Sequence, residues 1–182
     1  GGWGYTPDLG IGCQLIGFNV HVNRALGIST AYASSAIRAS SAYYPRFGNT
    51  EIGIRFVSDI INCSWGSTDF NDPGLRDAVN YAYQHGVSFI AASGNQDTIA
   101  LSYPASFDNA WVTDVGAGNK HRARVHYSNY SNKLDFIAPG GSCSNTDPIP
   151  NDDIVYSTNF TNNGQNINSF GCFDGTSAAA PN

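Results

Sequence analysis

Apolar positions along this chain follow two rhythms. Short apolar runs bounded by glycine, asparagine or aspartate predict buried strands, and segments with apolar residues three and four apart predict helices. The run CQLIGFNVHV, Cys13 to Val22, predicts a first strand. In STAYASSAIRASSAYYP, residues 29–45, Ala33, Ala36, Ile37, Ser40 and Tyr44 share one helical face, and Pro45 closes the segment. DIINCS, Asp59 to Ser64, predicts a second strand. NDPGLRDAVNYAYQHG carries a full set of helix signals: Asp72 as N-cap, Pro73 at the first helical position and Gly86 as the left-handed stop. Leu75, Ala78, Val79 and Ala82 form its inward stripe. Val87 to Ala92 predicts a third, apolar strand, and AWVTDVGA and LDFIAPG predict two more. IVYSTNFTNNGQNINSF reads as a hairpin around Asn163-Gly164, a preferred two-residue turn. Alternating strands and helices imply an α/β fold, three layers with a mostly parallel twisted sheet, and reactive loops beyond the carboxyl ends of the strands.

Composition narrows the function. Charged residues make up 13% of the 182, about half the typical roughly 25%, so Ser, Asn, Thr and Gly supply the polar surface, a style common in secreted proteins. A net charge of -5 argues against nucleic-acid partners. No apolar run approaches the ~18 residues of a membrane span. The sequence has no Met and opens on GGWGYTPDLG, which lacks the basic head and apolar stretch of a signal peptide, so it reads as a piece of a longer protein. The cysteines at 13, 63, 143 and 172 fit no metal spacing. Cys63 reads as a small core residue, and Cys143 and Cys172, both glycine-flanked, are candidates for a disulfide whose existence the sequence leaves open.

Three loops that follow strands carry the chemistry: Ser64-Trp65-Gly66, Ser93-Gly94-Asn95-Gln96, and DGTSAAAP containing Ser177. Taken singly, Ser177 reads as a helix cap and Asn95 as turn chemistry. Their order and company say more. DIINCSWG, GVSFIAASGNQ, SYPASFDN, VHYSNYSNKLDFIAPGG and GTSAAAPN resemble, in order, five blocks of the subtilisin-type serine endopeptidases, the subtilases.

That resemblance implies peptide-bond hydrolysis through an acyl-enzyme on Ser177, with Asn95 as the oxyanion-hole donor. It places Ser64, Trp65 and Gly66 on the edge that binds an extended peptide, and Ala92, Ser93 and Gly94 with Trp65 around the primary pocket. Trp65 with small residues opposite implies an apolar or aromatic preference, although packing of Trp65 on the core is the plain alternative. Gly27-Ile28 is a looser match to a second substrate-flanking strand. The partner implied is a peptide or protein substrate. No cofactor or metal is required for the chemistry. Structural calcium is common in the family, yet GGWGYTPDLG forms no recognisable calcium loop, and carbonyls of residues 105–110 are only a weak ion site.

The family also needs an aspartate and a histidine in D-[ST]-G and H-G-T-H blocks, and neither block occurs here. His21, His85, His121 and His126 have the wrong flanks and read as structural or solvated. The expectation is therefore that residues 1–182 are the C-terminal part of a catalytic domain, incomplete at both ends, inert alone, and completed by an N-terminal catalytic segment upstream and by the rest of the Ser177 helix downstream. A non-catalytic peptide-binding scaffold is the alternative, and intact Ser177 and Asn95 count against it. A Gly-x-Ser-x-Gly hydrolase fails because Ala-Ala follows Ser177. Residues 44–58 read as a surface insertion, Asn182 stands where many relatives carry histidine, and Asn129 and Asn159 head glycan-acceptor triplets.

Overall fold

The computed structural model describes residues 17–23, 27–41, 46–47, 50–51, 58–107, 111–143, 155–159 and 169–182. Four strands form the central sheet: β5 (Ile60–Cys63), β6 (Ser88–Ala92), β7 (Val112–Gly118) and β8 (Phe136–Pro139), hydrogen-bonded in that order. Every neighbouring pair is parallel, with Cys63 opposite Ala91, Ala92 opposite Val115 and Gly118 opposite Pro139.

Side-chain parity along these strands separates two cores. Phe89, Ala91 and Val112 face one way, toward α1 (Thr30–Ser41) and α2 (Pro73–Gln84), whose Ala33, Ile37, Leu75, Ala78, Val79 and Ala82 are buried there. Ala92, Val115 and Ala117, one register step away, face Ala179 and Ala180 around α3 (Thr176–Ala179). Helices on both faces make the three-layer α/β/α arrangement expected from the pattern. Each buried Leu, Val or Phe contributes about 1.5–3 kcal/mol.

Helix α2 forms as its sequence dictates. Asp72 Oδ1 accepts from the Leu75 N–H at 2.8 Å, Pro73 opens the helix, and Gly86 takes φ +75° at its end. The first strand differs from its expectation. Among the described residues of Cys13–Val22, strand begins only at His21, and β1 (His21–Asn23) pairs antiparallel with β2 (Gly27–Ile28), outside the parallel sheet. In α1 Ala33 and Ile37 are buried as expected and Ala36 packs half-buried against the same core, while Ser41, which the pattern left out, is buried too. Tyr44 and Pro45 lie outside the described residues. Ser41 tolerates burial because its hydroxyl donates to the Ile37 carbonyl at 2.8 Å.

Within the segment read as an insertion, β3 (Arg46–Phe47) and β4 (Thr50–Glu51) form a small antiparallel pair. β9 (Val155–Asn159) and β10 (Ser169–Phe173) form the predicted antiparallel hairpin, and its Asn163-Gly164 turn lies outside the described residues. Cys143 and Cys172 are joined by a disulfide that ties the segment after β8 to β10, and Cys63 is buried and free.

Candidate functional site

The three chemistry-bearing loops converge beyond the carboxyl ends of β5 and β6. Ser64 and Ser177, 113 residues apart, exchange two hydrogen bonds. The Ser177 hydroxyl donates to the Ser64 carbonyl at 2.8 Å, and the Ser64 hydroxyl donates to the Ser177 carbonyl at 2.9 Å. Asn62 Nδ2 in turn donates to Ser64 Oγ at 2.9 Å.

Asn95 is held from the other side. Its Oδ1 accepts from the Thr176 N–H at 2.8 Å and from the Thr176 hydroxyl at 2.8 Å. Thr176 Oγ1 itself accepts from the Gly94 N–H at 3.2 Å. Two donors on Oδ1 fix which end of the carboxamide is oxygen, so Nδ2 is the end turned away from Thr176. Gly175, at φ +116°, makes room for it: a Cβ there would sit 3.1 Å from Asn95 Nδ2. The order Gly175-Thr176-Ser177 thus has a local reason. Glycine admits the carboxamide, threonine orients it, and serine stands one residue further on.

A cavity of about 190 Å³ opens between the loops, lined by Trp65, Gly66, Ala92, Gly94, Asn95 and Ser177 together with Ile28, Gln96, Ser102 and Thr176. The structure brings Asn95, Ser177, Trp65, Gly66, Ala92 and Gly94 to one cavity. Ile28 joins them, as the loose match of the second strand anticipated. Ser93 differs: it is fully buried behind the wall, its carbonyl accepting from the Ser102 N–H at 2.8 Å. Ser64 holds Ser177 rather than lining the cavity. Trp65 does both things weighed for it, facing the cavity and meeting Phe70 edge-on at 6.2 Å between centroids. Sequence reasoning gave no role to Ser102, Gln96 or Thr176, although each lies within a segment it singled out.

The Ser177 hydroxyl spends its proton on a backbone carbonyl and not on a histidine. His21 lies in β1, and His85 ends α2 with Nδ1 2.8 Å from the Tyr81 carbonyl. His121 and His126 are exposed in the turns after β7. Among the described residues no three His, Cys, Asp or Glu side chains gather where a metal ion would sit. Residues 108–110 of the weak ion site lie outside the described residues. Burial pushes the Cys63 thiol up and makes it an inert core group.

One expectation is overturned. Asn129 cannot accept a glycan in this fold, because it is fully buried and its Nδ2 donates to Ser93 O at 3.2 Å and Gln96 Oε1 at 2.9 Å. The side chain of Asn159 is outside what is described.

Known proteins resemble this chain in sequence and in fold. Subtilisin BL of Lederbergia lenta is 39% identical over 89 residues, 49% of this chain and 32% of the relative. Thermitase of Thermoactinomyces vulgaris is 31% identical over 168 residues, 81% of this chain and 58% of the relative. A protease structure from Pseudoalteromonas arctica superimposes with TM-score 0.65 at 28% identity, covering 87% of this chain and 45% of that one. The chain therefore spans a third to somewhat over half the length of these relatives. The subtilase family, Peptidase S8, matches residues 12–182, and the chain belongs to that family of serine peptidases.

Proposed function

We propose that this chain supplies the nucleophile, the oxyanion site and the primary pocket of a secreted serine endopeptidase. Ser177 Oγ attacks the scissile carbonyl carbon, the C–N bond breaks, the amine leaves with a proton, and water releases the acyl group. Asn95 Nδ2 and the Ser177 N–H, which has no helical acceptor at the second position of α3, donate to the developing oxyanion.

The observation that carries this reading is the Thr176 clamp on Asn95 Oδ1, which leaves the amide end for an anion beside the next residue's hydroxyl. The cavity supports an apolar or aromatic preference: 150 Å³ holds a benzene ring, and about 190 Å³ takes a phenyl side chain. The Cys143–Cys172 disulfide supports an oxidising, extracellular setting. Among the described residues no helix is long and apolar enough to cross a membrane.

The proton of Ser177 needs a base, and its partner here is the Ser64 carbonyl. The histidine and its aspartate come, on this reading, from an N-terminal catalytic segment of a longer polypeptide, and residues 1–182 alone are inert. Structural calcium, where bound, belongs to that longer polypeptide. The second reading, a non-catalytic scaffold that binds extended peptides, is favoured by that same Ser177–Ser64 bond. A fluorophosphonate probe separates them. Labelling of the full-length polypeptide, lost in Ser177→Ala and absent from the 182-residue chain, supports the peptidase. An unlabelled full-length protein that still binds extended peptides supports the scaffold.

A further inference from the structure

We propose that Asn129 is a positioning residue for the Asn95 carboxamide. The proposal rests on the reading of Asn95 as an oxyanion donor.

A carboxamide offers two donor hydrogens and two acceptor lone pairs. Asn129 uses all four, and every partner lies between Ser93 and Thr98. Its Oδ1 accepts from the N–H groups of Gln96 at 2.8 Å and Thr98 at 3.4 Å. Its Nδ2 donates to the Ser93 carbonyl at 3.2 Å and to Gln96 Oε1 at 2.9 Å. The same Gln96 oxygen accepts the Asn95 N–H at 3.1 Å. Asn95 therefore rides on an arch whose two feet, residue 93 before it and residues 96 and 98 after it, are fastened to one side chain.

The backbones repeat the tie. Asn129 N–H donates to Gly94 O at 2.9 Å, Asp97 N–H to Tyr127 O at 2.9 Å, and Tyr130 N–H to Thr98 O at 3.0 Å. The packing leaves no slack at Gly94, φ +108°, where a Cβ would come within 2.4 Å of Asn129 Nδ2.

Tyr127 reaches the other half of the site. Its hydroxyl accepts the Gly175 N–H at 3.0 Å, an N–H shared with Gly140 O at 3.0 Å, and donates toward the Gly140 and Gly141 carbonyls at 2.8 and 2.6 Å. Gly175 is the residue that gives Asn95 Nδ2 its space. A stretch of three residues thus touches the supports of both the carboxamide and the segment carrying the hydroxyl. A buried carboxamide with every valence used is costly to misplace, because each lost partner strands a desolvated polar group.

An oxyanion donor acts in the transition state, so loosening it lowers kcat and spares KM. In the full-length polypeptide, Asn129→Ser is expected to lower kcat by about tenfold or more, with KM changed less than about twofold, below the ~10²–10³ for losing the donor itself. Because Asn129 acts through Asn95, adding Asn129→Ser to Asn95→Ala is expected to cost less than a further twofold. Losses that multiply, or a change confined to KM, overturn the proposal. Gln96→Ala, at an exposed position, removes the oxygen that accepts from both Asn129 Nδ2 and the Asn95 N–H without threatening the fold, and is expected to lower kcat several-fold with the same non-additivity.

Hydrogen exchange supplies an arm independent of turnover. The amides of Gln96 and Thr98 are expected to lose protection in Asn129→Ser while those of α2 keep it, and unchanged protection at Gln96 and Thr98 overturns the brace. A wild-type polypeptide that hydrolyses no peptide refutes the peptidase reading instead, and the exchange result still decides for or against the brace.

Discussion

Asp114 sits at the third position of β7, 6% exposed, in the middle of the parallel sheet. Its Oδ1 accepts the Asp135 N–H at 2.7 Å, and Asp135 Oδ2 accepts the Asp114 N–H at 3.2 Å, so two carboxylates lie across the start of the β7–β8 pairing. Burial raises the Asp114 pKa to about 6 from 3.8, the Asp135 N–H bond opposes the rise, and the Asp135 charge adds to it. The folded protein therefore holds this proton more tightly than the unfolded chain does. The resulting stabilisation is fully present below about pH 3.8 and is lost as the pH rises through about 6.

A shift of roughly two units at 1.36 kcal/mol each puts the cost of the buried charge near 3 kcal/mol above pH 7. Asp114→Asn keeps the acceptor for Asp135 and removes the charge. It is expected to raise stability by about 1–3 kcal/mol at pH 8, a Tm rise of several degrees for a chain of this size, with the gain shrinking toward pH 4. Urea midpoints of both proteins between pH 4 and 8 measure the difference, and titrations common to the two cancel. A gain that is the same at every pH, or a loss at pH 8, refutes the reasoning.

Other expectations follow from single contacts. Asn95→Ala in the full-length polypeptide is expected to lower kcat by about 10²–10³ with little change in KM, read by steady-state hydrolysis of a phenylalanine-containing peptide. Leu75→Ala empties a fully buried position under the sheet and is expected to cost about 2.7–5 kcal/mol in denaturant unfolding. Asp72→Ala removes the α2 cap and is expected to cost about 1 kcal/mol, measured the same way. Replacing both Cys143 and Cys172 by serine opens a 29-residue link and is expected to lower stability by about 3–4 kcal/mol, seen as a shift in the thermal midpoint.

Much of the fold was legible because local chemistry and tertiary structure agree. α2 announces its cap, its first-turn proline, its stripe and its glycine stop, and each does in the structure what it does in a peptide. The parallel strands were legible as apolar runs, most plainly β7, which is buried almost throughout, whereas the outer strands keep Ile60, Phe136 and Ile137 exposed. The first strand misled for the opposite reason. Cys13–Val22 is apolar enough for a sheet, but the pairing that forms is a short antiparallel one between His21–Asn23 and Gly27–Ile28.

Ser41 was hidden by its polarity, which its own helix satisfies through the Ile37 carbonyl. Of the site, Asn95, Ser177 and Trp65 could be found from the order of the blocks that resemble the subtilases, since each residue alone reads as ordinary cap, turn or packing chemistry. Asn129 could not. Its partners lie 31 to 36 residues away and leave no local pattern, so the residue reads as a surface sequon when it is fully buried with both ends of its carboxamide bonded.

The central claim is that Asn95 and Ser177 act on one atom, the oxygen of the carbonyl under attack. A crystal structure of the full-length polypeptide with a peptide aldehyde tests it most directly. The account predicts a covalent adduct on Ser177 Oγ whose oxygen lies about 2.7–3.1 Å from Asn95 Nδ2, with the aromatic side chain in the cavity beside Trp65. An adduct whose oxygen points away from Asn95, or a protein in which Ser177 stays unmodified, contradicts it.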